Sequence, residues 1–244
     1  MTASLTAILR IGLATLVMTG SMAGAETAEE GSMSNLSIRG RVQTGIPLVA
    51  SFTIPPGAAK TVLVRVAGPA LAVLGVGETL IDPMLELYDG HGAKLRENDD
   101  FLEADAVVAA SVGAFPFPAG SKDAMLIASL PPGTYTVQAR GVSGTTGEAL
   151  VEIYDLSNVG SRLSNFSSRT QLAAADNSVI AGFTVPPGSG TRRFLLRAVG
   201  TGRGFSGVGA LKDPKLEIFG ARRKSRRTTI GQTPTDRTTT ILPR

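Results

Sequence analysis

Apolar and polar residues alternate in Leu85-Glu86-Leu87-Tyr88, a period of two that predicts a strand with one buried face. Asp89-Gly90 and Gly92 follow, the residue types that supply positive φ in a tight turn, and Lys94–Arg96 reads as the returning strand. Similar short runs lie on either side. Val49–Ile54 ends at Pro55-Pro56-Gly57, Thr61–Val66 is β-branched, Ala124–Leu130 leads into Pro131-Pro132-Gly133, Thr134–Arg140 alternates, and Ala149–Tyr154 closes the unit. Glu103–Ser111 is rich in Ala and Val and predicts one or two helical turns. Seven or eight short strands separated by turns fit an all-β chain folded as an antiparallel β-sandwich of jelly-roll type.

The pattern also recurs. Asn35-Leu36-Ser37-Ile38-Arg39 matches Asn165-Phe166-Ser167-Ser168-Arg169, and Ser51-Phe52-Thr53-Ile54-Pro55-Pro56-Gly57 matches Gly182-Phe183-Thr184-Val185-Pro186-Pro187-Gly188. Leu63–Gly68 matches Leu195–Gly200, Gly75–Gly77 matches Gly207–Gly209, and Asp82-Pro83 matches Asp213-Pro214, all at an offset near 130. A constant offset over separate blocks predicts one complete sandwich, 35–158, and a truncated copy, 161–219.

Residues 1–25 read as a cleaved secretory leader. Arg10 precedes the apolar run Ile11–Val17, and Ala23-Gly24-Ala25 fits the small-x-small cleavage pattern. The run is short for a membrane span, so none is expected after cleavage. Residues 26–34 then form a polar linker, and the protein is expected to be secreted or held at the cell surface. The absence of Cys excludes thiolate zinc sites and thiol nucleophiles.

Charge changes the picture only at the end of the chain. The net charge of +4 hides seven Lys or Arg and one acid in residues 220–244, and the body between residues 26 and 219 holds 16 bases against 19 acids. The high isoelectric point therefore comes from the tail and predicts no nucleic-acid surface on the body. That tail, rich in Thr and Arg, lacks the alternation needed to finish a sandwich and is expected to be disordered. Codons permitted for Lys224–Gly231, read two bases later, spell Val-Ala-Glu-Asn-Asp-Asn-Trp, close to Leu95–Phe101 of the first copy. A frameshift after Phe219 accounts for this.

The acidic loop supplies the main candidate site. Asp82, Asp89, Glu97, Asn98, Asp99 and Asp100 carry the hard oxygen ligands that calcium takes, without the EF-hand spacing. Turn-forming and capping roles fit the same residues. His91, between two glycines at a turn tip, reads as solvent-exposed, and Gly57–Thr61 lacks the glycine that a phosphate loop places before its lysine. Arg65 and Arg197 stand at matching places inside strands. Either they bind anions, or each pairs with an acid such as Glu86 or Glu217. No catalytic constellation emerges.

Pro-Pro-Gly-Thr-Tyr-Thr-Val (131–137), Leu-Glu-Leu-Tyr-Asp (85–89) and Glu-Asn-Asp-Asp (97–100) resemble the bacterial pre-peptidase C-terminal sandwiches, and the likeness spans nearly all of residues 35–219. The resemblance implies an exported, non-catalytic module for attachment, spacing or binding, with an extracellular polymer or a cell-surface component as its partner. It also implies two alternatives: a calcium-dependent carbohydrate- or protein-binding module, and an accessory fragment of a secreted hydrolase.

Overall fold

A computed structural model describes residues 33, 35–157, 163–171, 178–185, 194–200, 211 and 214–220, together with the backbone of strands at 3–10, 14–19, 223–228 and 239–240. The chain is mostly antiparallel β structure. In order, the strands are β1 (Ala3–Arg10), β2 (Ala14–Thr19), β3 (Asn35–Val42), β4 (Leu48–Ile54), β5 (Lys60–Ala67), β6 (Pro83–Tyr88), β7 (Lys94–Asn98), β8 (Ala124–Leu130), β9 (Gly133–Gly141) and β10 (Gly147–Asp155). They continue with β11 (Asn165–Thr170), β12 (Val179–Val185), β13 (Leu195–Val199), β14 (Lys215–Gly220), β15 (Arg223–Thr228) and β16 (Thr239–Thr240). Two short helices interrupt them, α1 (Pro69–Val73) and α2 (Ala106–Ser111).

Two eight-stranded sheets result, ordered β15-β14-β1-β12-β3-β10-β5-β8 and β16-β13-β2-β11-β4-β9-β6-β7. The all-β sandwich expected from the alternation is what the chain forms. Burial alternates in β3 and β4, so Leu36, Ile38 and Val42 face Leu48, Ala50, Phe52 and Ile54 across the interior. Phe166, Phe183, Leu196, Leu216 and Ile218 extend the same core. Met33, expected in a linker, is buried there too.

β5 departs from strict alternation, because it is buried on both faces. Val62, Val64 and Val66 point into the core, while Leu63, Arg65 and Ala67 point outward. Residues 99–123 cross from the edge of one sheet to cover that outer face. Phe101, Ala109 and Ala114 pack on Leu63, Met125 and Tyr154. The expected helical turns within 103–111 form as a 3₁₀ turn, Glu103–Asp105, followed by α2.

The tail differs from the expectation of disorder where it is described. The backbone of β15 pairs antiparallel with β14, and that of β16 pairs with β13. Unpaired edge amides and carbonyls recruit extended backbone, and Thr suits a strand. The backbone of 3–10 and 14–19, expected in the leader, is likewise paired. The leader's cleavage segment, Ala23–Ala25, lies outside the described residues.

Candidate functional site

The six acidic-loop residues are divided among several partners. Asp89 accepts hydrogen bonds from the His91 and Ala93 amides, both 2.9 Å, and closes the turn in which Gly92 sits at φ +84°. Those backbone bonds, led by Ala93, hold its carboxyl below the usual carboxylate range. Glu97 pairs with Lys94 at 2.5 Å. Asn98 accepts from the Met125 amide at 2.9 Å and donates to the Asp100 carbonyl at 2.7 Å, tying β7 to β8. Asp100 holds the Lys122 ammonium at 2.8 Å, and the charges of Asp82 and Asp99 also reach that ammonium.

Lys122 thus supplies the cation toward which three of the five acids are drawn. Among the described residues, no group of three or more His, Asp or Glu stands together as a metal-holding set. His91 lies in the exposed turn, as expected.

Arg65 has the most unusual environment. It is 1% exposed, inside β5, with its guanidinium carbon 3.8 Å from the Phe117 ring centre and 4.8 Å from that of Phe115. Its Nη2 donates to the Phe115 carbonyl at 2.7 Å. Its acid is Glu152, directly across the β5–β10 ladder, with Nη1 to Oε2 3.4 Å. Glu86, the partner expected from sequence, lies on β6 in the other sheet and pairs instead with Arg140 at 2.9 Å and Lys94 at 3.3 Å. The two sheets turn their outer faces in opposite directions, so Arg65 and Glu86 cannot meet.

Tyr154 donates to Glu152 Oε1 at 2.9 Å, while Nε and Nη1 of Arg65 and Oε2 of Glu152 have no hydrogen-bond partner among the described residues. Burial pushes the Glu152 carboxyl above its ordinary range against the pull of Arg65. A cavity of about 240 Å³ adjoins the pair, lined by Arg65, Phe101, Ala109, Ala114, Phe117 and Met125. Apart from the arginine, that lining is apolar.

Asp123, not singled out from sequence, is fully buried and anchors the same region. Its carboxylate accepts from the Gly68 amide at 2.6 Å, from the Ala70 amide at 3.1 and 3.2 Å, and from the Ser121 hydroxyl at 2.6 Å. It therefore fixes the entry to α1, the segment that leaves β5 just after Arg65. The only sequence signal was an acid flanked by the start of an apolar strand.

Lys60 of the glycine loop is also spoken for. It is 3% exposed and holds Asp155 at 2.6 Å. Among the described residues, no helix is long and apolar enough to cross a membrane. No family model, curated protein or solved structure matches the chain.

Proposed function

We propose that the chain is an exported, non-catalytic β-sandwich module for surface attachment or spacing, built of one complete unit (35–158) and one truncated unit (161–219). The observation that carries this reading is the matched register of two strand junctions. Across β3 and β12, Leu36 faces Phe183, Ser37 faces Gly182 and Ile38 faces Ala181. Across β4 and β11, Phe166 faces Phe52, Ser167 faces Ser51 and Ser168 faces Ala50. Exchange each residue for its repeat counterpart and one set of pairs becomes the other.

Two glycines support the same relation. A Cβ on Gly68 would meet the Leu80 carbonyl oxygen at 2.1 Å, and a Cβ on Gly200 would meet the Leu211 carbonyl oxygen at 2.1 Å. Units joined edge to edge through both sheets form a stiff spacer, because relative motion would break two ladders at once. The chemistry-bearing side chains Asp89, Glu97, Asp100, Asp123, Lys60 and Arg65 are engaged in holding turns and strands, which favours a structural role. Calcium forms no part of this reading, since Lys122 stands among the acids that would take it.

Bacterial expression of the whole gene, followed by fractionation and intact-mass measurement, tests the proposal. A chain starting near Glu26 in the medium or on the cell envelope is expected. A full-length chain confined to the cytoplasm sinks the proposal.

A further inference from the structure

In the complete unit, the consecutive strands β9 and β10 lie one in each sheet, each flanked on both sides. β9 lies between β4 and β6, and β10 lies between β3 and β5. In the truncated unit the repeat assigns β11 to the place of β3, β12 to β4, β13 to β5 and β14 to β6. The strand between β12 and β14 is then β1, and the strand between β11 and β13 is β2. The places of β9 and β10 are thus held by the backbone of 3–10 and 14–19, from the other end of the chain.

The substitution keeps register residue by residue. β4 meets β9 with Phe52 opposite Tyr135 and Ala50 opposite Val137, and β12 meets β1 with Phe183 opposite Leu5 and Ala181 opposite Ala7. β3 meets β10 with Leu36 opposite Ile153 and Ile38 opposite Val151, and β11 meets β2 with Phe166 opposite Met18 and Ser168 opposite Leu16. In the complete unit the inward places of β9 and β10 are Tyr135, Val137, Ala139, Ala149, Val151 and Ile153, all in the core. By register their counterparts are Leu5, Ala7, Leu9, Ala14, Leu16 and Met18, all apolar. The flanking side chains Phe166, Val179, Ala181, Phe183, Leu196, Leu216 and Ile218 give the slot an apolar floor.

We propose that the slot between β12 and β14 in one sheet and between β11 and β13 in the other is an acceptor for two consecutive strands, one in each sheet. Strands β1 and β2 plug it within the chain, and once they are withdrawn it takes a strand–turn–strand segment with the alternation of residues 133–155 from a separate protein chain. The chemistry of recognition is strand addition on four edges at once. Backbone bonds supply affinity and the alternate apolar side chains set register. The inference rests on the two-unit reading and makes the leader-like segment a removable occupant.

Two arms run on the full chain made without export, so they report on the slot whether or not residues 1–25 are a leader. The chain has no Cys, so an Ala7→Cys, Ala181→Cys pair forms the only disulfide available. Directly paired antiparallel residues lie within disulfide range. A link within one chain is expected, with none for Ala7→Cys paired with Ala198→Cys on the other sheet. No link, a link in both pairs, or a covalent dimer overturns the plug.

In the second arm, Ala7→Pro and Leu16→Pro remove ladder bonds from the plug. A fluorescent peptide of residues 133–155 is expected to bind this variant at least about tenfold tighter than the parent, a difference of ~1.4 kcal/mol. Equal binding to both chains, equal binding of a peptide with its alternation shifted by one residue, or no binding overturns the acceptor. Protease resistance of 35–157 in the variant shows that the complete unit still folds, which keeps a negative result decisive.

Discussion

Arg65 and Glu152 face each other across the β5–β10 ladder, both buried, with Nη1 and Oε2 3.4 Å apart and two phenylalanine rings packed over the guanidinium. An ion pair in such a place contributes little net stability, because both charges have given up water. What it fixes is position. The Phe115 carbonyl on Arg65 ties the 99–123 cover to the sheet beneath it, and the Tyr154 hydroxyl, on the same strand as Glu152, holds the carboxylate in place.

Removing one partner strands the other charge. Arg65→Met is expected to cost about 3–5 kcal/mol in urea unfolding. Arg65→Met with Glu152→Leu is expected to recover most of that loss. If the double variant is no more stable than the single one, the cost comes from the lost aromatic stacking and not from the orphaned carboxylate.

Two carboxylates give stability opposite slopes with pH. For Glu86, burial works to raise the ordinary value of 4.5, but hydrogen bonds from Arg140, Tyr88 and Lys94 outweigh it and the net shift is downward. Its contribution is present above 4.5 and is lost as pH falls through the lower native value. Glu152 is shifted upward by burial, so between 4.5 and its native value the folded chain holds a proton that the unfolded chain has released, and stability falls as pH rises. Thermal melts should show both limbs. Glu152→Gln should abolish the falling limb and leave the rising one, and an unchanged profile would contradict the assignment.

The two glycines at matching turns make a paired prediction. Gly68→Ala and Gly200→Ala each drive a Cβ to 2.1 Å from a backbone oxygen. Each is expected to cost about 3 kcal/mol, the upper end for overpacking. The readouts separate: proteolysis should open 35–157 for the first variant and 163–220 for the second. A tolerated Gly200→Ala would count against the equivalence of the two units.

Calcium is expected to leave the native protein unmoved. Calorimetry with calcium at about 5 mM, above the ~10⁻⁴–10⁻³ M typical of extracellular modules, should give no heat and no change in melting temperature. A saturable signal would mean that Lys122 swings away from Asp82, Asp99 and Asp100 and yields the loop to the metal.

The strands were legible because each alternation answers to a real interior face. Val49–Ile54, Ala124–Leu130 and Thr134–Arg140 all lie within observed strands. β5 gave no clean alternation, since its outer face is covered as well. That cover could not be read, because α2 and the phenylalanines at 115 and 117 gain meaning only against Arg65. The acidic loop reads as a candidate metal site because its residues cluster in sequence; what the sequence does not show is that Asp89 and Asn98 bind backbone amides while Glu97 and Asp100 meet Lys94 and Lys122. Nor does a sequence pattern reveal that the backbone near the start of the chain pairs with strands near its end. That relation lives in ladder register alone.

β7 marks one end of the assembly. It is the outermost strand of its sheet, and Lys94, Arg96 and Glu97 line it, all exposed. A charged, solvent-facing edge resists the addition of further strands. In the proposed two-unit reading, the central join of β3 with β12 and β4 with β11 brings the same edge of each unit together. A join that uses one edge twice closes after two units and leaves no such edge from which an array could lengthen.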